Sequence, residues 1–125
     1  MNVLAGKIRD SELEVMRVLW EAQDALPLIE IRCNLSTRCG WEDSTIKTLL
    51  RRLQAKGAVQ LERRGVYRAV VTEGEYSQWS THTFVDKLFA GSAKKLVASL
   101  VSGGLLSEAD IRELSEMFNE ENRHE

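Results

Sequence analysis

This chain of 125 residues is organised around the stretch WEDSTIKTLLRRLQAKG, residues 41–57. Its apolar residues follow the i, i+3, i+4, i+7 spacing of one buried stripe on a helix, at Ile46, Leu49, Leu50 and Leu53. At about 100° per residue, the face opposite this stripe carries hydroxyls and cations and no acid. The residues of that outer face and its flanks are Ser44, Thr45, Lys47, Thr48, Arg51 and Arg52.

Such an outer face suits the major groove of DNA. Short hydroxyl side chains let a helix approach base edges, and arginine or lysine behind them reaches guanines or phosphates. An ordinary solvated helix with a basic face is the alternative, and for this stretch in isolation it is the more common case. The neighbouring elements therefore decide between the two interpretations.

Two helices are predicted before this stretch. Ser11 and Glu14 form a Ser-x-x-Glu capping box, which predicts a first helix over 10–20. Pro27 stands where a helix can begin without losing a needed N–H, and the apolar residues after it predict a second, shorter helix. Asp43 is the predicted N-cap of the third helix, and Gly57 ends it.

A change of period follows the third helix. Residues 58–62 and 66–72 alternate and are rich in valine and tyrosine, and the turn signal between them predicts a β-hairpin. Three helices and a basic hairpin are the order of a winged helix-turn-helix, in which the third helix enters the groove and the wing approaches phosphates. A hairpin tip that is basic by chance is the alternative. The predicted wing contacts are Arg63, Arg64 and Arg68.

The predicted fold class is mainly α with a small β-hairpin, divided into a winged helix-turn-helix DNA-binding domain over 1–72 and a three-helix dimerisation region over 73–125. Three short helices bury too little apolar surface to be stable alone, so they need a partner. A second copy is the economical partner, since a two-fold dimer places two recognition helices one DNA turn apart over a palindromic site. Packing of these helices back onto the winged domain is the alternative. The predicted dimerisation residues are Phe84, Leu88, Leu96, Leu100, Ile111, Leu114 and Phe118.

Charge is divided along the chain in the same way. Residues 41–72 hold seven lysines and arginines against three acids, and residues 73–125 hold five against ten. The net charge of −2 therefore conceals a basic middle and an acidic tail. A DNA-binding unit joined to a protein-interaction unit has this pattern.

Composition bounds the class and the location of the protein. With 43% hydrophobic and 29% charged residues, the chain is typical of a soluble globular protein with a core to bury. It has no apolar run of membrane-spanning length and no secretory signal at its start, which predicts a cytoplasmic protein without a membrane partner.

Residue types needed for metal binding or catalysis are sparse. Cys33 and Cys39 are predicted to be free, half-buried fillers, with a redox role for the pair left open. The two histidines, His82 and His124, are far from both cysteines, so no metal site and no cofactor are expected. The chain also lacks a nucleophile elbow and a glycine-rich phosphate loop, which argues against an enzyme.

Three stretches carry a family resemblance: SELEVMRVLW (11–20), STIKTLLRRLQAKG (44–57), and the tail from THTFVDKLFAGSAKKLV (81–97) to LSEADIRELSEMF (106–118). They resemble the penicillinase-repressor (BlaI/MecI/CopY) family of winged-helix regulators. The resemblance implies a homodimeric repressor that occupies an operator dyad upstream of a resistance or efflux gene until a signal releases it. It also implies that Ser44, Thr45 and Thr48 read bases, with Lys47, Arg51 and Arg52 on phosphates or guanines.

The releasing signal is not legible in this sequence. Members that respond to β-lactams are cleaved at an Asn-Phe bond, and the matching position here is Ser99-Leu100. Copper-responsive members end in Cys-x-Cys motifs, and this chain has no cysteine after Cys39. An inducing protease and a small ligand are therefore both retained as partners.

A winged-helix module that binds protein without touching DNA is the alternative function. The salt dependence of DNA binding distinguishes this module from a repressor, because a protein that neutralises several phosphates loses DNA affinity steeply as salt rises.

Overall fold

The computed structural model describes residues 3–123, so His124 lies outside the described part of the chain. Within that part, a 3₁₀ helix (Val3–Lys7) precedes six α-helices and three β-strands. The helices are α1 (Asp10–Ala22), α2 (Leu28–Cys39), α3 (Asp43–Lys56), α4 (Glu73–Phe89), α5 (Ala93–Ser102) and α6 (Glu108–Arg123). The strands are β1 (Leu26–Pro27), β2 (Val59–Arg63) and β3 (Val66–Ala69). The predicted fold class, mainly α with a small β-hairpin, is confirmed.

The chain forms two compact units, one ending at Thr81 and the other beginning at His82. Helix α4 belongs to the first unit as far as Thr81 and to the second from His82 onward. The functional division between residues 72 and 73 stays a prediction.

The core of the first unit contains the predicted stripe of α3. Ile46, Leu49, Leu50 and Leu53 are at most 4% exposed. They pack with buried residues of α1 and α2, among them Met16, Ile31 and Leu35. The period of the apolar residues therefore fixed which face of α3 turns inward.

The hairpin is part of a three-stranded antiparallel sheet with the order β1-β3-β2. Pro27, predicted as the first residue of α2, is instead the last residue of β1 and pairs with Val66. Its φ of −64° is compatible with an extended residue, and the neighbouring Leu28 N–H donates to the Gly65 carbonyl at 2.8 Å. The wing is thereby anchored at the start of α2.

Aromatic side chains fix the first turns of α4 on the first unit. The ring centroids of Trp20 and Tyr76 are 5.8 Å apart, and those of Tyr76 and Trp79 are 5.9 Å apart. Trp20 Nε1 donates to the Val71 carbonyl at 2.9 Å. Trp79 also covers Gly6, where an added Cβ would lie 3.1 Å from the indole ring and would force the ring to shift slightly.

The second unit exposes much apolar surface. Among the described residues of α5 and α6, no side chain is buried. Leu88 is 65% exposed and Phe118 is 67% exposed.

Helix capping agrees with the sequence at one helix and differs at two. The Ser107 and Asp110 capping box before α6 has both hydrogen bonds, each 3.0 Å long. The Ser11 and Glu14 box predicted for α1 is wrong, because the N-cap is Arg9, two residues before Ser11, and the Arg9 N–H donates to Glu12 Oε1 at 2.9 Å. The N-cap position of α3 is Glu42, and Asp43 is the first helical residue.

Glu12 makes a further bond that ties α1 to the end of α3. Its side chain is 2% exposed and forms an ion pair with Lys56, whose ammonium also donates to the Lys7 carbonyl at 2.9 Å. Burial by itself raises the pKa of Glu12, but the bonds from Lys56 and the Arg9 N–H, with the charges of Lys56 and Arg52, leave that pKa below its ordinary 4.5. Glu12 is therefore charged at neutral pH.

Replacing Lys56 by Met lowers the free energy of unfolding by about 3 kcal/mol at pH 7, because a buried carboxylate loses its cation. The pKa of Glu12 is depressed by folding, so the stabilisation from this pair is present above its unfolded pKa and lost as pH falls through the folded pKa. The stability difference between wild type and Lys56→Met therefore narrows below about pH 4.5. Urea unfolding at pH 7 and pH 4 measures it.

Lys47→Met is the control, because Lys47 lies exposed on the same helix and should tolerate the change. A loss in Lys56→Met that is equally large at both pH values would contradict the ionic explanation and assign the effect to packing.

Candidate nucleic-acid interface

The outer face of α3 is accessible over its whole length. Five of the six residues predicted on it are exposed, and the sixth, Thr48, is half-buried. The exposed five are Ser44, Thr45, Lys47, Arg51 and Arg52. Because the opposite stripe is buried in the core, this face of hydroxyls and cations is turned to solvent by packing alone.

The Thr48 hydroxyl can donate fewer hydrogen bonds to DNA than its position in the sequence suggests. Its hydroxyl donates to the Ser44 carbonyl one turn earlier, at 2.9 Å. A threonine hydroxyl has one hydrogen to donate, so in this conformation Thr48 offers only lone pairs and a methyl group to a neighbouring molecule.

Arg52 lies at the edge of this face. Its charge acts on Glu12 of α1 and helps to lower the pKa of that carboxyl group. Arg52 is therefore shared between the core ion pair and the outer surface, whereas Arg51 is exposed on the face opposite the stripe.

The wing presents three exposed arginines. Arg63 ends β2, Arg64 follows in the turn, and Gly65 has the positive φ of +75° that the turn requires. Arg68 stands opposite Gln60 in the sheet register and donates to its side-chain oxygen at 2.6 Å. A bulge at Glu62 shifts the register near the tip. All three cations predicted for the wing thus reach solvent.

Ion pairs connect the helix ends around this interface. Arg38 of α2 pairs with Glu21 of α1, and Arg32 of α2 pairs with Asp43 at the start of α3. The bond from Arg32 lowers the pKa of Asp43, and the charge of Lys47 acts in the same direction. The sequence prediction missed Arg32, because nothing in the sequence pairs residues eleven positions apart across two helices.

The cysteines and the described acids form no additional site. Cys33 and Cys39 are free, as predicted, but Cys33 is exposed where the sequence analysis expected a half-buried filler. Six residues along α2 correspond to about 240° around the helix, so the two thiols lie on different faces. Over residues 3–123, no group of three or more histidines, cysteines or acids is arranged to hold a metal ion.

The predicted dimerisation residues lie on all three helices of the second unit. Leu96 and Leu100 are half-buried, and the other five are exposed: Phe84, Leu88, Ile111, Leu114 and Phe118. Between α5 and α6 lies an apolar groove of about 490 Å³, to which Val97 and Val101 also contribute. None of the helices in the described part of the chain is long and apolar enough to cross a membrane.

Comparison with known proteins gives one consistent result. A family model described as penicillinase repressor matches residues 8–120. The penicillinase repressor of Bacillus licheniformis is 32% identical over 117 residues, covering 91% of each chain. The methicillin resistance regulatory protein MecI of Staphylococcus aureus (strain N315) is 28% identical over 118 residues, covering 90% of this chain and 94% of that protein. The DNA-binding domain of the repressor BlaI, a solution structure, matches with a TM-score of 0.52 at 35% identity, covering 61% of this chain and 94% of that domain.

Proposed function

Because the chain belongs to the penicillinase repressor family, we propose that it is a homodimeric transcriptional repressor that binds a palindromic operator through α3 and the basic wing. The family resemblance predicted from the sequence is confirmed by the match over residues 8–120. The protein acts by occupying DNA in the cytoplasm and not by catalysis. Its target is a resistance or efflux gene, in keeping with the resistance regulators among its relatives.

The exposed outer face of α3 is the observation that carries this proposal. Ser44 and Thr45 stand at the start of the helix, where recognition helices contact base edges. Thr48 offers acceptor lone pairs and a methyl group, which suit the amino group of adenine or cytosine and the methyl group of thymine. Arg51 reaches guanine, while Lys47 and Arg52 contact phosphates.

The wing supplies contacts outside the major groove. Its arginines are held on a sheet that β1 ties to the start of α2, so their position relative to the helix-turn-helix is fixed by backbone hydrogen bonds. They carry positive charge and lie outside the recognition helix, which assigns them to phosphates flanking each half-site.

The second copy is supported by the apolar surface of the second unit. A helix such as α6 that buries no side chain gains little from tertiary packing within one chain. A two-fold partner that covers the same surface on both copies would remove it from water. We therefore propose that the same apolar face of a second chain covers this surface.

Release from the operator requires an inducing protease or a small ligand. Ser99 and Leu100 lie within α5, with Ser99 exposed and Leu100 half-buried, so cleavage between them would first require the helix to open locally. Cleavage there would separate the end of α5 and all of α6 from the rest of the chain, and of the residues that line the groove only Val97 would stay on the N-terminal fragment.

Selection of duplexes from a random pool tests the proposed function. We expect enrichment of an inverted repeat whose half-sites are about 10 base pairs apart, centre to centre. A pool that shows no enrichment over the starting DNA would contradict the repressor and favour a protein-binding module.

Removing the positive charges of the wing should make the affinity for DNA depend less steeply on salt. Arg63→Ala with Arg64→Ala should reduce the slope of log affinity against log salt by about one per phosphate contact, and so by about four for a dimer. The matched control is Lys94→Ala with Lys95→Ala, an adjacent exposed basic pair on α5 that should leave the slope unchanged. Equal slopes for the wing variant and wild type would remove the wing from the interface. Titration of a labelled duplex at several salt concentrations gives both slopes.

A further inference from the structure

Asp43 places a carboxylate beside the surface proposed to read bases. It is the first residue of α3 and directly precedes Ser44. Its carboxylate pairs with the Arg32 guanidinium of α2, and the side chains are 57% and 31% exposed respectively. Asp43 therefore neutralises Arg32, the cation of α2 that lies beside the start of the recognition helix.

The ion pair between Asp43 and Arg32 contributes little to the stability of the fold. Solvent screens an exposed ion pair, which contributes little to folding. Helices α2 and α3 are instead held together by fully buried apolar side chains, including Ile31, Leu35 and Ile46. The main effect of the pair is therefore on the charge that this surface presents to DNA.

Asp43 removes positive charge at the end of α3 that meets DNA. Arg32 and Lys47 both lower the pKa of its carboxyl group, so the group is ionised at neutral pH. Ionised Asp43 holds the Arg32 guanidinium by a hydrogen bond and presents a negative charge next to the hydroxyls of Ser44 and Thr45. A guanidinium bound in this way has fewer donors left for a phosphate.

We infer that Asp43 is a specificity-determining residue, which keeps Arg32 off the phosphate backbone and thereby weakens binding to non-operator DNA more than binding to the operator. This inference rests on the proposed repressor function. Binding to non-operator DNA is almost entirely electrostatic, so one additional free arginine strengthens it directly. In an operator complex, base contacts fix the register, whereas on other DNA the protein settles wherever a cation meets a phosphate.

Asp43→Asn tests the inference with the full-length protein, a scrambled duplex and the duplex obtained by selection. We expect binding to the scrambled duplex to tighten by about tenfold in 0.1 M salt, with a salt slope steeper by about one for each subunit. Affinity for the selected duplex should rise by less than about threefold, so the ratio between the two duplexes falls.

A double-mutant cycle with Arg32→Gln assigns the cause. In the Arg32→Gln background, Asp43→Asn should change the scrambled-duplex affinity and the salt slope much less than in wild type, because repulsion by the carboxylate is lost but no guanidinium is released. Glu42→Gln, which neutralises the neighbouring exposed acid outside the pair, is the matched control and should change the slope less than Asp43→Asn. Asp43→Ser replaces Asp43→Asn if that variant unfolds at a lower temperature than wild type.

The outcomes separate this inference from the function on which it rests. Wild type that binds neither duplex contradicts the proposed function, and the inference falls with it. Wild type that prefers the selected duplex, together with an Asp43→Asn variant of the same affinities, overturns only the inference. An equal gain with and without Arg32 also overturns it, because repulsion by the carboxylate would then explain the effect without release of the guanidinium.

Discussion

Leu114→Glu should convert the proposed dimer to a monomer and lower operator affinity by roughly 100-fold or more, the loss expected when two linked half-site contacts become separate. Leu114 is 48% exposed in the single chain and lines the groove between α5 and α6. A second copy that covers this groove would bury the new carboxylate without a cation, which opposes association. Sedimentation equilibrium should give the 14.2 kDa of one chain for the variant and twice that mass for wild type.

Ala109→Glu is the matched control for this prediction. Ala109 is exposed on α6 and lies about 140° around the helix from Leu114, and farther still from Ile111 and Phe118. The same charge placed there should leave both the mass and the operator affinity unchanged. A Leu114→Glu protein that remains a dimer with wild-type affinity would show that this face is not the interface between copies.

Arg51→Ala lowers operator affinity by roughly 30-fold to 10⁴-fold while leaving the fold unchanged. Each arginine bonded to guanine in two places contributes about 1–3 kcal/mol of discrimination, and a dimer loses two of them. Arg51 is exposed opposite the buried stripe, so its truncation leaves no cavity in the core. Fluorescence anisotropy with the selected duplex measures the affinity, and thermal unfolding checks the fold.

Two further variants isolate the role of the Arg51 guanidinium. Arg51→Lys keeps the charge but lacks the planar pair of donors, so it should lose operator preference and retain binding to a scrambled duplex. Arg17→Ala removes an arginine of α1 whose side chain is 54% exposed, and it should bind like wild type. A loss of affinity in Arg17→Ala equal to that in Arg51→Ala would mean that net charge alone governs binding.

The periodic parts of the fold could be predicted from the sequence. The stripe of α3 has the i, i+3, i+4, i+7 spacing that only a helix places on one face, and its four residues are buried as predicted. The outward position of Arg51 follows from the same geometry. The turn signal at Gly65 likewise predicted the hairpin, although β2 is shifted by one residue and β3 ends three residues earlier than expected.

Features set by distant partners could not be predicted in this way. Leu26 and Pro27 become a strand only because β3 lies beside them, and two residues leave no periodic signal. Glu12 is a buried ion-pair partner because Lys56, 44 positions away, is brought against it by packing. The capping box moved from Ser11 to Arg9 for a related reason, since that Glu12 carboxylate also accepts the Arg9 N–H.

Binding of the wild-type protein to the selected duplex and to a scrambled duplex, across a salt series, decides whether α3 and the wing bind DNA. The proposed repressor should prefer the selected duplex by roughly 10³-fold or more, and its affinity should fall by about 10³-fold or more between 50 and 200 mM salt. Equal and weak binding to both duplexes with little dependence on salt would contradict the claim that α3 and the wing form a DNA interface.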